Sequence, residues 1–181
     1  AHWRKLTMKF RDLTASEIEV RVAQINEKGC VLLLYKDARC DMNILDETVG
    51  GENWQREHYE CKGNLFCRVG ILVPMRDGGA QWVWKSDCGT ESNTEAQKGE
   101  ASDSFKRACF NWGIGRELYT APFIWVPSGK VKITRTPKGS FKTFDKFSVE
   151  KIKIENKRIV GVSIINRSLG QRACVYAEGQ K

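Results

Sequence analysis

Leu65-Phe66-Cys67-Arg68-Val69-Gly70-Ile71-Leu72-Val73, followed by Arg76-Asp77-Gly78-Gly79 and then by Gln81-Trp82-Val83-Trp84-Lys85-Ser86-Asp87-Cys88, decides the fold. The first run is apolar and of strand length. The tetrapeptide is a hairpin turn, because Asp-Gly and Gly-Gly tolerate positive φ. The third run predicts the returning strand, with Trp82 and Trp84 on one face and Val83 and Lys85 on the other. Upstream, Trp54 to Cys61 alternates imperfectly, and Lys62-Gly63-Asn64 supplies a turn. Three strands therefore form an antiparallel meander. Downstream, after a polar loop from Gly89 to Asn93, the spacing predicts a helix over 94–112. Ala101, Phe105, Ala108 and Trp112 form its apolar stripe, and Gly113 and Gly115 end it. A meander needs one face covered, and this helix is the natural cover.

Working outward, Thr14-Ala15-Ser16-Glu17 has the form of a capping box, and Ile18, Val22 and Ile25 follow at helical spacing. This predicts a first helix, stopped at Gly29. Cys30 to Tyr35 reads as a short buried strand. Asp37 can cap a second helix carrying Ala38, Met42, Leu45 and Val49 on one face and ending at Gly50-Gly51. Pro122 and Pro127 interrupt the apolar stretch that follows the long helix. Residues 128–143 read as a basic linker. A closing meander is expected over Phe147 to Ile154, Arg158 to Ile165 and Ala173 to Ala177. The expected fold class is α+β: helix-strand-helix, then a three-stranded meander covered by a long helix, then a basic C-terminal meander. The expected division is a core over 1–127, a linker over 128–143 and a small appendage over 144–181. No internal repeat is visible.

Composition narrows the function classes. No apolar run approaches the roughly 18 residues of a membrane span, and the first residues lack a signal-peptide core. The expectation is a cytoplasmic protein without a membrane partner. Met8 is a candidate start, so Ala1 to Thr7 is left out of the fold reading. Seven cysteines, an odd number with no C-x-x-C spacing, together with only two histidines, give no zinc pattern and point to reduced thiols. No cofactor is expected. The net charge of +8 is uneven: residues 130–181 hold 13 Lys and Arg against 4 Asp and Glu, whereas 1–129 hold 17 against 18. Such a basic block points to a polyanion, usually nucleic acid, or to a solvated surface.

The informative chemistry lies in Phe105-Lys106-Arg107-Ala108, followed by Asn111-Trp112-Gly113. With Phe105 facing the core, Lys106 falls on the flank and Arg107 points away, so the two cations are placed to hold consecutive phosphates. The alternative is a solvated helix face with Asp103 pairing Arg107 at i, i+4. Phe141, Phe144 and Phe147 are interleaved with ten cations over 130–158, which suits either a DNA-contacting arm or a packed meander under solvated lysines. Trp54, Trp82, Trp84, Trp112 and Trp125 are expected in the core or at subunit contacts. Asp37, Asp41, Asp46 and Glu47 would have to converge to serve a metal-dependent nuclease, and they read better as an exposed helix face.

The Lys106-Arg107 helix resembles the motif of the Rad-fifty-two-type single-strand annealing family, which includes the phage Sak-like proteins. Other segments match in order: Leu13 to Arg39, ending in Tyr35-Lys36-Asp37-Ala38-Arg39; Leu45-Asp46-Glu47-Thr48-Val49-Gly50 with Trp54; and Asp87-Cys88-Gly89. The resemblance spans roughly residues 12–118. It implies a non-enzymatic protein of DNA recombination and repair that anneals complementary single strands without ATP, as an oligomeric ring. Its partners would be single-stranded DNA and further copies of itself, with a single-strand-binding protein as a candidate. The family pattern makes Lys106 and Arg107 inner-groove residues, puts Arg39 beside a groove arginine that falls on Cys40, and likens Arg76 to a lysine of an outer DNA site. Lys98 matches a helix lysine, and Arg116 is a candidate substitute for a family arginine whose position here is Phe110. Lys36 and Lys85 complete the candidate DNA-binding set. A duplex-binding module and a metal-dependent nuclease are the competing readings.

Overall fold

The computed structural model describes residues 8–91 and 96–179. In chain order its strands are β1 (Glu19–Asn26), β2 (Gly29–Tyr35), β3 (Trp54–Cys61), β4 (Asn64–Pro74), β5 (Ala80–Cys88), β6 (Ile124–Pro127), β7 (Thr134–Arg135), β8 (Phe141–Lys142), β9 (Phe147–Glu155), β10 (Arg158–Asn166) and β11 (Gln171–Ala177). Its α-helices are α1 (Ala38–Val49) and α2 (Ala96–Trp112). The chain forms two compact units. One holds the described parts of residues 1–11 and 37–115, and the other holds residues 12–36 and the described parts of 116–181.

The first unit is the expected meander with its helix. β3, β4 and β5 pair antiparallel in sequence order. Cys67, Val69 and Ile71 alternate along β4 onto one face and are fully buried, as are Phe105, Ala108 and Cys109 of α2. Of the stripe read from the sequence, Phe105 and Ala108 are fully buried and Ala101 and Trp112 half-buried, while Ser104 and Cys109 join the packed face. Trp112 Nε1 donates to the Val69 carbonyl (2.9 Å), and Trp54 packs near the Phe105 ring (6.0 Å between centroids). α1 is capped as expected: the Asp37 carboxylate accepts from the Cys40 N–H (2.8 Å), and Gly50, at φ +86°, ends the helix. Gly89 is required by packing, since a Cβ there would lie 2.2 Å from the Glu100 carbonyl oxygen and 2.8 Å from the Ser104 nitrogen. The end of β5 can press against α2 only because that side chain is missing.

The second unit is an antiparallel six-stranded sheet in the order β11-β10-β9-β1-β2-β6, with β7 and β8 as a separate small hairpin. The edge strands β6 and β11 approach one another, so the sheet curls on itself. A buried carboxylate staples this unit. Glu117, fully buried, accepts from the Leu13 N–H (2.7 Å) and faces Lys157 Nζ (3.6 Å), which also meets Asp12 (3.2 Å).

Two expectations are corrected. The helix expected after Thr14 is a short 3-10 turn over Ala15–Glu17 that leads into β1. The Thr14 hydroxyl does meet the Glu17 carboxylate (2.8 Å), but β-branched Val20 and Val22 continue as a strand. The register shifts between Val22 and Gln24, and this bulge produces the three-residue step from Val22 to Ile25 that imitates a helix. The divisions expected at 127 and 143 also differ from the observed ones. β9 to β11 are not a separate appendage, because Ser148 of β9 pairs with Glu19 of β1.

The remaining side chains divide. All seven cysteines are free, and burial pushes the Cys30 and Cys67 thiols up to about 11. Trp82 and Trp84 lie on the sheet face away from α2, their centroids 6.2 Å apart, with the Arg68 guanidinium 4.3 Å from the Trp84 ring. Phe144 is exposed beneath Lys142, whereas Phe141 and Phe147 are half-buried.

Candidate nucleic-acid interface

β5 is an edge strand, and residues alternate along it. Val83, Lys85 and Asp87 stand opposite Ile71, Val69 and Cys67, so all three share the face that α2 covers. Lys85 reaches the C-terminal turn of α2, where its Nζ donates to the Asn111 carbonyl (3.3 Å) and lies 4.9 Å from the Trp112 ring centroid. A cation is favoured there, because the last carbonyls of a helix carry partial negative charge. Asn111 Nδ2 in turn donates to the Ser86 carbonyl (2.7 Å), fastening helix to strand.

One turn earlier, Arg107 leans on the same strand. Its Nε lies 3.5 Å from Asp87 Oδ1, and that oxygen already accepts from the Cys88 N–H (2.7 Å). The Arg107 side chain remains 42% exposed, so its inner edge faces Asp87 while part of the side chain reaches water. The Asp103–Arg107 pair set out as the alternative is not formed. Asp103 accepts instead from the Thr90 N–H (3.0 Å) and hydroxyl (3.2 Å). Lys106 is half-buried and turned by about 100° from Arg107 around the helix.

The other candidates are dispersed. Lys98 is exposed about 12 Å along α2 from Lys106, given a rise of roughly 1.5 Å per residue. Arg76 is exposed in the β4–β5 turn, which closes through Met75 and Gly79 (2.7 Å). Arg39 is the cation of α1. Its side chain is 86% exposed, with Asp37 3.8 Å away, whereas neighbouring Cys40 points into the core. Arg116 is exposed but belongs to the second unit, as does Lys36. Lys36 is only 2% exposed, which removes it from any solvent-facing groove.

Of the carboxylates at α1 weighed for nuclease chemistry, three have separate structural tasks and one is enclosed. Asp37 caps α1, Asp46 accepts from Trp54 Nε1 (2.6 Å), Glu47 pairs with Arg11 (2.8 Å) and Asp41 is fully buried. Among the described residues, no group of three or more acidic, His or Cys side chains is placed to hold a metal ion.

Sequence reading missed the partner of Arg107. Asp87 was visible only as part of a strand-end motif. The signal was its register, since a carboxylate on the covered face of a strand needs a cation from the covering element. It also missed Arg56, whose guanidinium lies over the Phe105 ring at 4.7 Å.

α2 thus bears adjacent Lys106 and Arg107 beside the edge strand β5. The chain belongs to the Rad52/22 family of double-strand break repair proteins, whose family model matches residues 4–136. It is thus a DNA-binding protein of recombination and repair. Comparison with curated proteins and with solved structures gave no match.

Proposed function

We propose that this chain binds single-stranded DNA and anneals complementary strands without ATP or enzymatic chemistry, as a ring of identical subunits. Lys106 and Arg107 hold the strand, and Lys85, Arg39, Lys98 and Arg76 are auxiliary cations. The observation that carries this reading is the adjacent cation pair on α2, with Arg107 partly open at the β5 seam, in a chain of the Rad52/22 family. Pairing two strands requires a grip on phosphates that leaves base edges free, and Lys and Arg provide such a grip without reading sequence. A few cations per subunit bind weakly. Repetition around a ring supplies avidity. The proposal includes the phage Sak-like subgroup, the bacterial cytoplasm as setting and a single-strand-binding protein as a further partner.

The test is the solution mass together with pairing kinetics. A mass many times 20.6 kDa and ATP-free acceleration of oligonucleotide annealing are expected. A monomer that does not accelerate pairing would refute the proposal, and a preference for duplex over single strands would favour a duplex-binding module.

A further inference from the structure

Asp87 has no task that the fold alone requires of a carboxylate. It stands opposite fully buried Cys67, on the face of β5 that α2 covers, where an apolar residue would pack without cost. Its one hydrogen bond to the backbone, from the Cys88 N–H, is an interaction that an asparagine would keep. What its charge adds is the approach to Arg107 Nε, at 3.5 Å. The distance is too long for a tight hydrogen bond, and Nε is otherwise buried without an acceptor. Asp103, the other acid beside this seam, is turned to Thr90. Asp87 is therefore the carboxylate in ion-pair distance of the phosphate-facing arginine.

We propose that Asp87 is a built-in counter-ion that limits how tightly the α2 site grips a DNA backbone. The inference rests on the single-strand-binding reading above. A phosphate that reaches Arg107 must share its charge with Asp87, which weakens each contact and keeps the strand exchangeable. Exchange matters to an annealing protein, since paired product must leave the groove that held its strand. The group recognised is a phosphodiester, and Asp87 sets affinity rather than sequence preference.

The test compares wild type, Asp87→Asn, Arg107→Ala and the double variant for binding of a fluorescent oligo-dT by anisotropy at about 0.1 M salt. Thermal melts confirm that each variant folds. Asp87→Asn is expected to tighten binding by about two- to fivefold, the range of a partly exposed ion pair. In the Arg107→Ala background the same change is expected to give no more than the gain of a net-charge control. Glu60→Gln, which removes one exposed carboxylate on β3, controls for net charge and is expected to give a smaller gain. Equal gains from Asp87→Asn and Glu60→Gln, or weaker binding by Asp87→Asn, would overturn the counter-ion role while leaving single-strand binding intact. A wild type that binds no oligo-dT would instead remove the reading beneath it.

Discussion

The two units of this chain divide its charge in opposite ways. The unit with α2 carries 13 basic and 13 acidic residues, so its net charge is zero. The unit built on the six-stranded sheet carries 17 and 9, and it holds the whole excess of the protein. Yet the cations of the family motif lie in the neutral unit. In the basic unit several are engaged internally: Arg172 with Glu150, Lys153 with Glu155, Arg158 with Glu178, and Lys157 with Asp12 and Glu117. Net charge measures attraction at a distance. A site depends on which cations stand side by side, partly open, on a rigid element.

If the basic unit's charges act in binding, this division fails; if they act in folding, it holds. The largest expected effect is on stability. Glu117→Ala leaves Lys157 without its buried partner and the Leu13 N–H without an acceptor, at a cost of about 3 kcal/mol. Chemical denaturation measures it, and oligo-dT affinity of the folded fraction is expected to stay unchanged. Next, Lys85→Met removes the cation at the end of α2 and is expected to weaken single-strand binding by about threefold, read by anisotropy. Replacing Lys132, Lys138 and Lys142 together by alanine is expected to weaken it by less than that, because these charges act mainly through screened, long-range attraction. A larger loss would move the site into the basic unit.

The smallest effect is on pH dependence. Hydrogen bonds from Arg172 and Ser163 hold the Glu150 carboxyl down to about 2, from an ordinary 4.5. Its contribution is complete above 4.5 and is lost as pH falls toward 2, because the unfolded chain takes up the proton first. Thermal melts of wild type and Glu150→Gln are expected to differ at pH 6 and to converge near pH 2.

What was legible in the sequence followed from local signals. The Asp77-Gly78-Gly79 turn, the alternation around Trp82 and Trp84, and the Ala101, Phe105, Ala108, Trp112 stripe each depend on neighbours within a few residues, and each predicted its element. The β1 bulge was not legible, since a one-residue register slip at Val22 to Gln24 makes a strand look helical. The pairing of β9 with β1 joins residues more than a hundred positions apart and leaves no local trace. The candidate site was legible in the same measure. Lys106 and Arg107 stood out from their flanks and from the family resemblance. Burial of Lys36 and the choice of Asp87 over Asp103 as partner of Arg107 are decided by tertiary packing, which spacing along one helix does not report.

Lys106 and Arg107 are proposed to grip the DNA backbone. The salt dependence of oligo-dT binding by the Lys106→Ala/Arg107→Ala variant tests it most directly. With about 0.7 of slope per neutralised phosphate on single strands, a log–log slope shallower by about 1.4 per engaged subunit and an affinity at least about tenfold lower at 0.1 M salt are expected. A folded variant that keeps the wild-type slope and affinity would contradict it.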